Sequence, residues 1–338
     1  MGAEDLPIEV LREGTRLYEQ GKHYESISEY RKAIECYRAA MEATFPDPVI
    51  LNNIGYCYLL LNEIDECKDT LWSVLELEPE NVEALHNLAM VLIDTEEYEE
   101  AESLARRGIE VDRANSGNWS NLGRTLYANG RFEDAREAIA TAIGYAPDRA
   151  DSHYVMGLVL NRIGDEDNAH RSFLRAVELE DDNVQHLMGL GRCLLNLKQP
   201  ETAEKYLRRA VEVEELNHEA LTMLAESLIE QAITLKENVP ETMLGEAMEL
   251  LNRSLDLMVT HPETWYLWGR VRMMFHDWEN AERFLRVAVE GKCEDSMAWA
   301  YLSYVLGQLG RGKEATEMFE EYKRIANITV EGDDDDVC

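Results

Sequence analysis

The chain is short of positive charge: 33 Lys and Arg stand against 67 Asp and Glu in 338 residues, a formal net charge of −34. Like charge repels, which argues against nucleic acid and against an anionic membrane as partners. The acid excess fits a salt-rich cytoplasm as well as a basic partner protein. Cysteine is sparse too. Cys36, Cys57, Cys67, Cys193, Cys293 and Cys338 include no CxxC pair, so neither a zinc site nor a disulfide framework is signalled, and they read as small apolar fillers plus one tail residue. No run of eighteen apolar residues occurs, and the opening "MGAEDLPIEV" has neither a basic nor an apolar leader segment. We therefore expect a cytoplasmic chain without membrane insertion, in which the N-x-S/T sequons at Asn118, Asn252 and Asn327 are coincidental.

Catalytic signatures are missing as well. The eight histidines form no H-E-x-x-H and no i, i+4 pair, so no metal site is expected. "GQLGRGK" (307–313) fits a phosphate-cradling loop in spacing only, because Glu314 replaces the Ser or Thr that would hold magnesium and no strand precedes it. Nothing singles out a carboxylate pair. No cofactor is implied, and the chain is expected not to be an enzyme.

What is present is a ruler. Gly55, Ala89, Gly123, Gly157, Gly191 and Ala225 follow one another at intervals of 34 residues; the series extends upstream to Gly14 after 41, and downstream to Gly269 and Ser303 after 44 and 34. Twelve residues after all of these but Ala225 stands another small residue, at Ser26, Cys67, Ala101, Ala135, Ala169, Ala203, Ala281 and Ala315. Seven further on an alanine often follows, with a large apolar residue such as Tyr30, Leu71, Ile139, Phe173 or Leu207 between them. Apolar residues fall at helical spacing around these marks, with Gly or Asn at the turns. Each unit reads as a helical hairpin, because small residues at facing positions let two helices approach closely while neighbouring bulky side chains interlock. Two units break the period. The first reads as carrying two extra turns in its second helix before Pro46 and Pro48, and the seventh as two longer helices broken at Pro240.

At these residues the chain resembles the tetratricopeptide repeat (TPR) family. Residues 116–149 match its pattern at Trp119, Leu122, Gly123, Leu126, Gly130, Phe132, Ala135, Ala142 and Pro147, with Ile139 in place of Phe; residues 265–289 match through Trp265, Trp268, Gly269, Trp278, Ala281 and Ala288. The resemblance implies an all-α fold, a right-handed α-solenoid (superhelix) of nine units at about 7–47, 48–81, 82–115, 116–149, 150–183, 184–217, 218–261, 262–295 and 296–329. A short extension, 1–6, precedes the array, and an acidic tail, 330–338, reads as disordered.

The resemblance also implies a concave groove lined by the first helix of each unit. Two positions before the small residue stand Asn53, Asn87 and Asn121, a row that resembles the asparagine ladder in the TPR superhelix of O-GlcNAc transferase, where amides grip an extended peptide. One position after it come Arg124, Arg192 and Arg270, with Arg162 four further along its unit; these are candidates for a partner's carboxylate, or else they pair with nearby acids. Glu83, Asp151, Glu219 and Glu263 also fall on groove positions. Tyr266, Met273, Tyr301 and Tyr304 offer an apolar anchor pocket, against a simpler reading as core. The expected function is a non-enzymatic scaffold or adaptor that binds an extended peptide segment of another protein. The alternatives are a homo-oligomer that polymerises through its end repeats, and a chaperone-like adaptor. The two asparagines of the TPR co-chaperone clamp are present, but its basic residues are not at matching places.

Overall fold

The computed structural model describes residues 7–235, 240–293 and 295–334; the extension 1–6, the end of the tail at 335–338 and part of the insertion at 236–239 lie outside them. Among the described residues there are eighteen helices and no strand. They fall into two compact units, Met1–Ser172 and Phe173–Cys338. The first holds α1 (Ile8–Ser26), α2 (Tyr30–Ala43), α3 (Pro48–Leu60), α4 (Ile64–Leu77), α5 (Val82–Asp94), α6 (Tyr98–Val111), α7 (Ser116–Ala128), α8 (Phe132–Tyr145) and α9 (Ala150–Ile163). The division falls within α10 (Glu166–Leu179). The second holds α11 (Val184–Asn196), α12 (Pro200–Val213), α13 (His218–Leu235), α14 (Glu241–Leu257), α15 (Pro262–Met274), α16 (Trp278–Glu290), α17 (Met297–Gln308) and α18 (Gly312–Asp334). In each unit an odd-numbered helix packs on the even-numbered one after it, and successive odd helices also touch: α3, α5, α7 and α9 in the first, α11, α13, α15 and α17 in the second. Each unit is thus an all-α solenoid stack.

The small residues act as the spacing predicts. A Cβ on Gly123 would stand 2.4 Å from Ile139, one on Gly191 2.6 Å from Leu207, and one on Gly269 2.5 Å from Leu285. Contacts that short do not exist in folded proteins, so hydrogen is the only side chain that fits. Ile139, Leu207 and Leu285, sixteen residues on, are fully buried in return. Seven residues past most of the small positions the chain turns through left-handed backbone, as at Asn62, Glu96, Gly130, Gly164 and Lys198. Glycine meets that requirement freely at Gly130 and Gly164; the others carry a Cβ there at a cost.

This geometry corrects the reading of the first unit. Its spacer is Gly21, not Gly14: a Cβ on Gly21 would stand 2.5 Å from Tyr37, sixteen residues on, and the left-handed turn residue is Ser28, seven on. Ala33, Tyr37 and Ala40 are the buried partners, whereas Ser26 and Tyr30 are not buried. Helix α2 has 14 residues, as α4 does, so it carries no extra turns; the added residues lengthen α1, which has 19. The two readings differ by seven residues, two helical turns, which leaves the same face inward and so leaves the pattern looking intact. The seventh unit is as expected, with α13 and α14 of 18 and 17 residues and Pro240 at the N-cap of α14. The tail is a second correction. Helix α18 continues to Asp334, five residues into the stretch expected to be disordered, since no proline interrupts it.

Helix starts repeat as well. Asp47, Asn81, Asn115, Asn183 and Asn217, spaced 34 apart except where one place is skipped, each accept a backbone N–H of the first turn of the helix that follows. At the skipped place stands Arg149, which makes no cap bond to α9. Among the described residues, no helix is long and apolar enough to cross a membrane.

Candidate functional site

The face built by the odd helices gathers most of the residues singled out by the sequence, and a common relation links them. The residue two before each small position meets the residue 35 earlier, on the preceding odd helix. Asn53 Nδ2 approaches Tyr18 Oη at 3.5 Å, Asn87 Nδ2 donates to Asn52 Oδ1 at 3.1 Å, and Asn121 Nδ2 donates to the His86 carbonyl at 2.8 Å and to His86 Nδ1 at 3.0 Å. The asparagine row exists, but its amides brace one hairpin to the one before.

For Asn121 the peptide-gripping expectation fails on this geometry. The residue is 2% exposed and both amide hydrogens are spent on His86. Because an amide nitrogen can only donate, His86 Nδ1 must be unprotonated. Burial drives the His86 imidazole down to about 4, with Arg149 adding to the effect, so the ring is neutral at physiological pH. Asn53 and Asn87 are half-buried, and each keeps hydrogen-bonding capacity in excess of its one bond.

The arginines are engaged. Arg124 pairs with Asp94 at 2.9 Å, Arg192 with Glu226 at 2.7 Å and Arg270 with Glu230 at 2.6 Å, in each case bridging neighbouring odd helices. Arg162 lies exposed with its guanidinium 5.2 Å from the centre of the Phe132 ring.

The tyrosines pack largely on one another, and of Tyr266, Met273, Tyr301 and Tyr304 only Tyr266 lines the cavity described below. Tyr266 and Tyr301, again 35 apart, stack at 6.0 Å, and the guanidinium of Arg270 lies 5.6 and 5.8 Å from the two ring centres. Tyr266 and Arg270 are buried, and burial pushes the Tyr266 phenol well above its usual range. Tyr301 and Met273 are half-buried. Tyr304 alone of the group is exposed, edge-on to Trp278. Of the sequons, Asn118 is fully buried against Gly108, so its amide is out of reach of any modifying enzyme.

The odd-helix face of the second unit has an opening lined in part by residues the sequence singled out, Arg192, Glu219, Glu263 and Tyr266. A cavity of about 510 Å³ lies across α11, α13 and α15, floored by Thr222, Met223 and Leu267 and walled by Tyr266 and His261. Its rim carries Glu219, Glu226, Glu263 and Asp295 against one arginine, Arg192. Burial lowers the pKa of His261, whose Nδ1 lies 2.7 Å from Thr264 Oγ1 within a buried hydroxyl cluster with Thr222 and Ser254. The available signal was the loss of the asparagine: Met223 and Leu267 occupy the row's place here and cannot bond across.

Family models described as tetratricopeptide repeat match residues 92–158 and 162–220. A comparison with curated proteins gives no match. Among solved structures, PilF of Pseudomonas aeruginosa is 19% identical over 64% of this chain and 94% of its own, with a TM-score of 0.53, a likeness of fold. The yeast Tom70 structure is 15% identical over 92% of this chain and 85% of its own, at a TM-score of 0.48. YrrB, described as a TPR protein with an unusual peptide-binding site, is 19% identical over 57% and 95%, at 0.44. With 34-residue helical hairpins closed by glycine spacers and two family models matched in succession, residues 92–220 of the chain are tetratricopeptide repeats.

Proposed function

We propose that the chain is a non-enzymatic protein-interaction scaffold that holds an extended segment of another protein along its odd-helix face. The observation that carries this reading is the cavity of about 510 Å³ across α11, α13 and α15, which combines an apolar floor with a charged rim. Such a surface suits a side chain of the bound segment; taken by itself, the first unit offers Asn53 and Asn87, with capacity to spare, to a peptide backbone. Arg162 on α9 and Tyr304 on α17, both exposed, are further contacts in this reading. Asn121, Tyr266 and Arg270 support the face from within.

Selection of displayed random peptides on the full chain tests the proposal. Selected peptides should lose at least about tenfold in affinity when Glu219→Trp fills the cavity mouth, a loss of about 1.4 kcal/mol. Glu212→Trp, on the exposed face of α12, should leave affinity unchanged. No selectable peptide, or equal loss from both variants, would remove the reading.

A further inference from the structure

The cavity across α11, α13 and α15 has a lining of two kinds. Met223, Leu267 and the Tyr266 ring are buried and give it an apolar floor and wall, while Glu219, Glu226, Glu263 and Asp295 stand around it with a single guanidinium, that of Arg192. Four carboxylates against one guanidinium leave the lining with three net negative charges. Arg192 is already committed, at 2.7 Å, to Glu226. His261 brings no positive charge at neutral pH, since burial lowers its pKa.

The acids are held in different ways. Asp295 accepts the Met297 backbone N–H at 2.8 Å, and Glu263 stands 3.3 Å from His261 Nε2, so both are positioned by neutral groups that leave their charge in place. Glu219 is exposed at the mouth and makes no hydrogen bond or ion pair among the described residues. Any occupant of the cavity takes water away from these carboxylates, which costs free energy unless the occupant returns a donor or a positive charge. An aliphatic side chain would cover the floor and strand the rim. An acidic one would be repelled by the rim, and a short polar one would not cover the floor. Lysine and arginine match both parts, because each has a long apolar stem that lies along apolar surface and a cationic head that stays at its edge.

We infer that the cavity is a subsite for a lysine or arginine side chain, with the stem on Met223 and Leu267 and the head among the rim carboxylates, Glu219 foremost. The inference rests on the scaffold reading and deepens it: the bound segment must present a basic residue to the second unit. The net charge of −34 works in the same direction at longer range, by drawing a basic segment toward the chain.

The test follows the Met223 methyl signal by NMR in the full chain carrying methyl-labelled methionine. The probes are N-acetyl-lysine amide, N-acetylarginine amide and N-acetylnorleucine amide, the last with the lysine stem and no charge. We expect a saturable shift with one or both cations, whichever acts identifying the head group, and a half-saturating concentration at least about tenfold higher for norleucine. Glu219→Gln should raise the half-saturating concentration of the cation at least about threefold, the scale of one partly exposed charge pair. Glu212→Gln, which removes the same charge from the exposed face of α12, should leave it unchanged. No saturable shift with either cation up to the solubility limit overturns the subsite. So does norleucine binding as well as lysine, unchanged binding in Glu219→Gln, or equal weakening by both variants, which would be an effect of total charge. If displayed peptides bind and lose affinity in Glu219→Trp while the cationic probes fail, only this inference falls. If no displayed peptide binds, the scaffold reading falls and takes this inference with it.

Discussion

The two units use the same helical positions to opposite ends. In the first, Asn53, Asn87 and Asn121 hold the row position before Val155 ends the row, and their amides reach back to Tyr18, Asn52 and His86 on the preceding odd helix, so α1, α3, α5 and α7 are tied together by side-chain bonds. In the second, Met223 and Leu267 hold that position; neither can bridge polar groups, and the space between their helices opens into the cavity. Farther along, Tyr301 meets Tyr266 and the face closes again around Arg270. One repeat frame thus carries a braced stretch over α1 to α7 and an open one over α11 to α15.

The comparison assumes that the frame itself is equally firm in both units. Ile139 and Leu207 are fully buried against Gly123 and Gly191. Truncating either to alanine should cost roughly 2–5 kcal/mol, read by chemical denaturation. A loss near zero in one unit and not the other would break the equivalence on which the comparison stands.

The brace in the first unit makes a pH prediction. His86 has its folded pKa lowered to about 4 from 6.5. Between those values the unfolded chain binds more protons than the folded one, so this contribution is complete above pH 6.5 and is lost as pH falls toward 4, with a ceiling of roughly 3 kcal/mol. His261, also lowered by burial, acts with the same sign in the second unit. His86→Gln should therefore flatten part, and not all, of the stability loss between pH 6.5 and 4.5. An unchanged slope would mean that the ring is not held neutral by its surroundings.

Removing the amide is the next largest effect. Asn121→Ala leaves the His86 carbonyl and Nδ1 without a donor in a buried place and should cost about 1–3 kcal/mol. Asn87→Ala, at a half-buried bond, should cost less, about 1 kcal/mol. If both cost the same, burial does not grade the row.

The hairpins were legible in the sequence because their cause is local and periodic: a glycine that must face a large side chain sixteen residues later leaves a fixed mark. The role of Asn121 was not legible. Its partner, His86, lies 35 residues back, and only the close approach of α5 and α7 brings them together. The Gly14 reading failed for the opposite reason, since a shift of two helical turns preserves every pattern that a helix face can show. Arg149 was visible throughout as the one basic residue in the series Asp47, Asn81, Asn115, Asn183, Asn217, yet a small-residue ruler does not look at caps.

The smallest effect tests the frame at its turns. Glu96 in the first unit and Lys198 in the second hold the left-handed turn with φ of 63° and 57°, where Gly130 and Gly164 hold the same place elsewhere. A side chain in that region costs about 1–2 kcal/mol, which glycine relieves, at the expense of greater freedom in the unfolded chain. Glu96→Gly and Lys198→Gly should each stabilise by about 1 kcal/mol or less, and by equal amounts, because both residues stand seven past a spacer, Ala89 and Gly191. A gain in only one unit would show that the turns, unlike the spacers, are not interchangeable between the braced face and the open one.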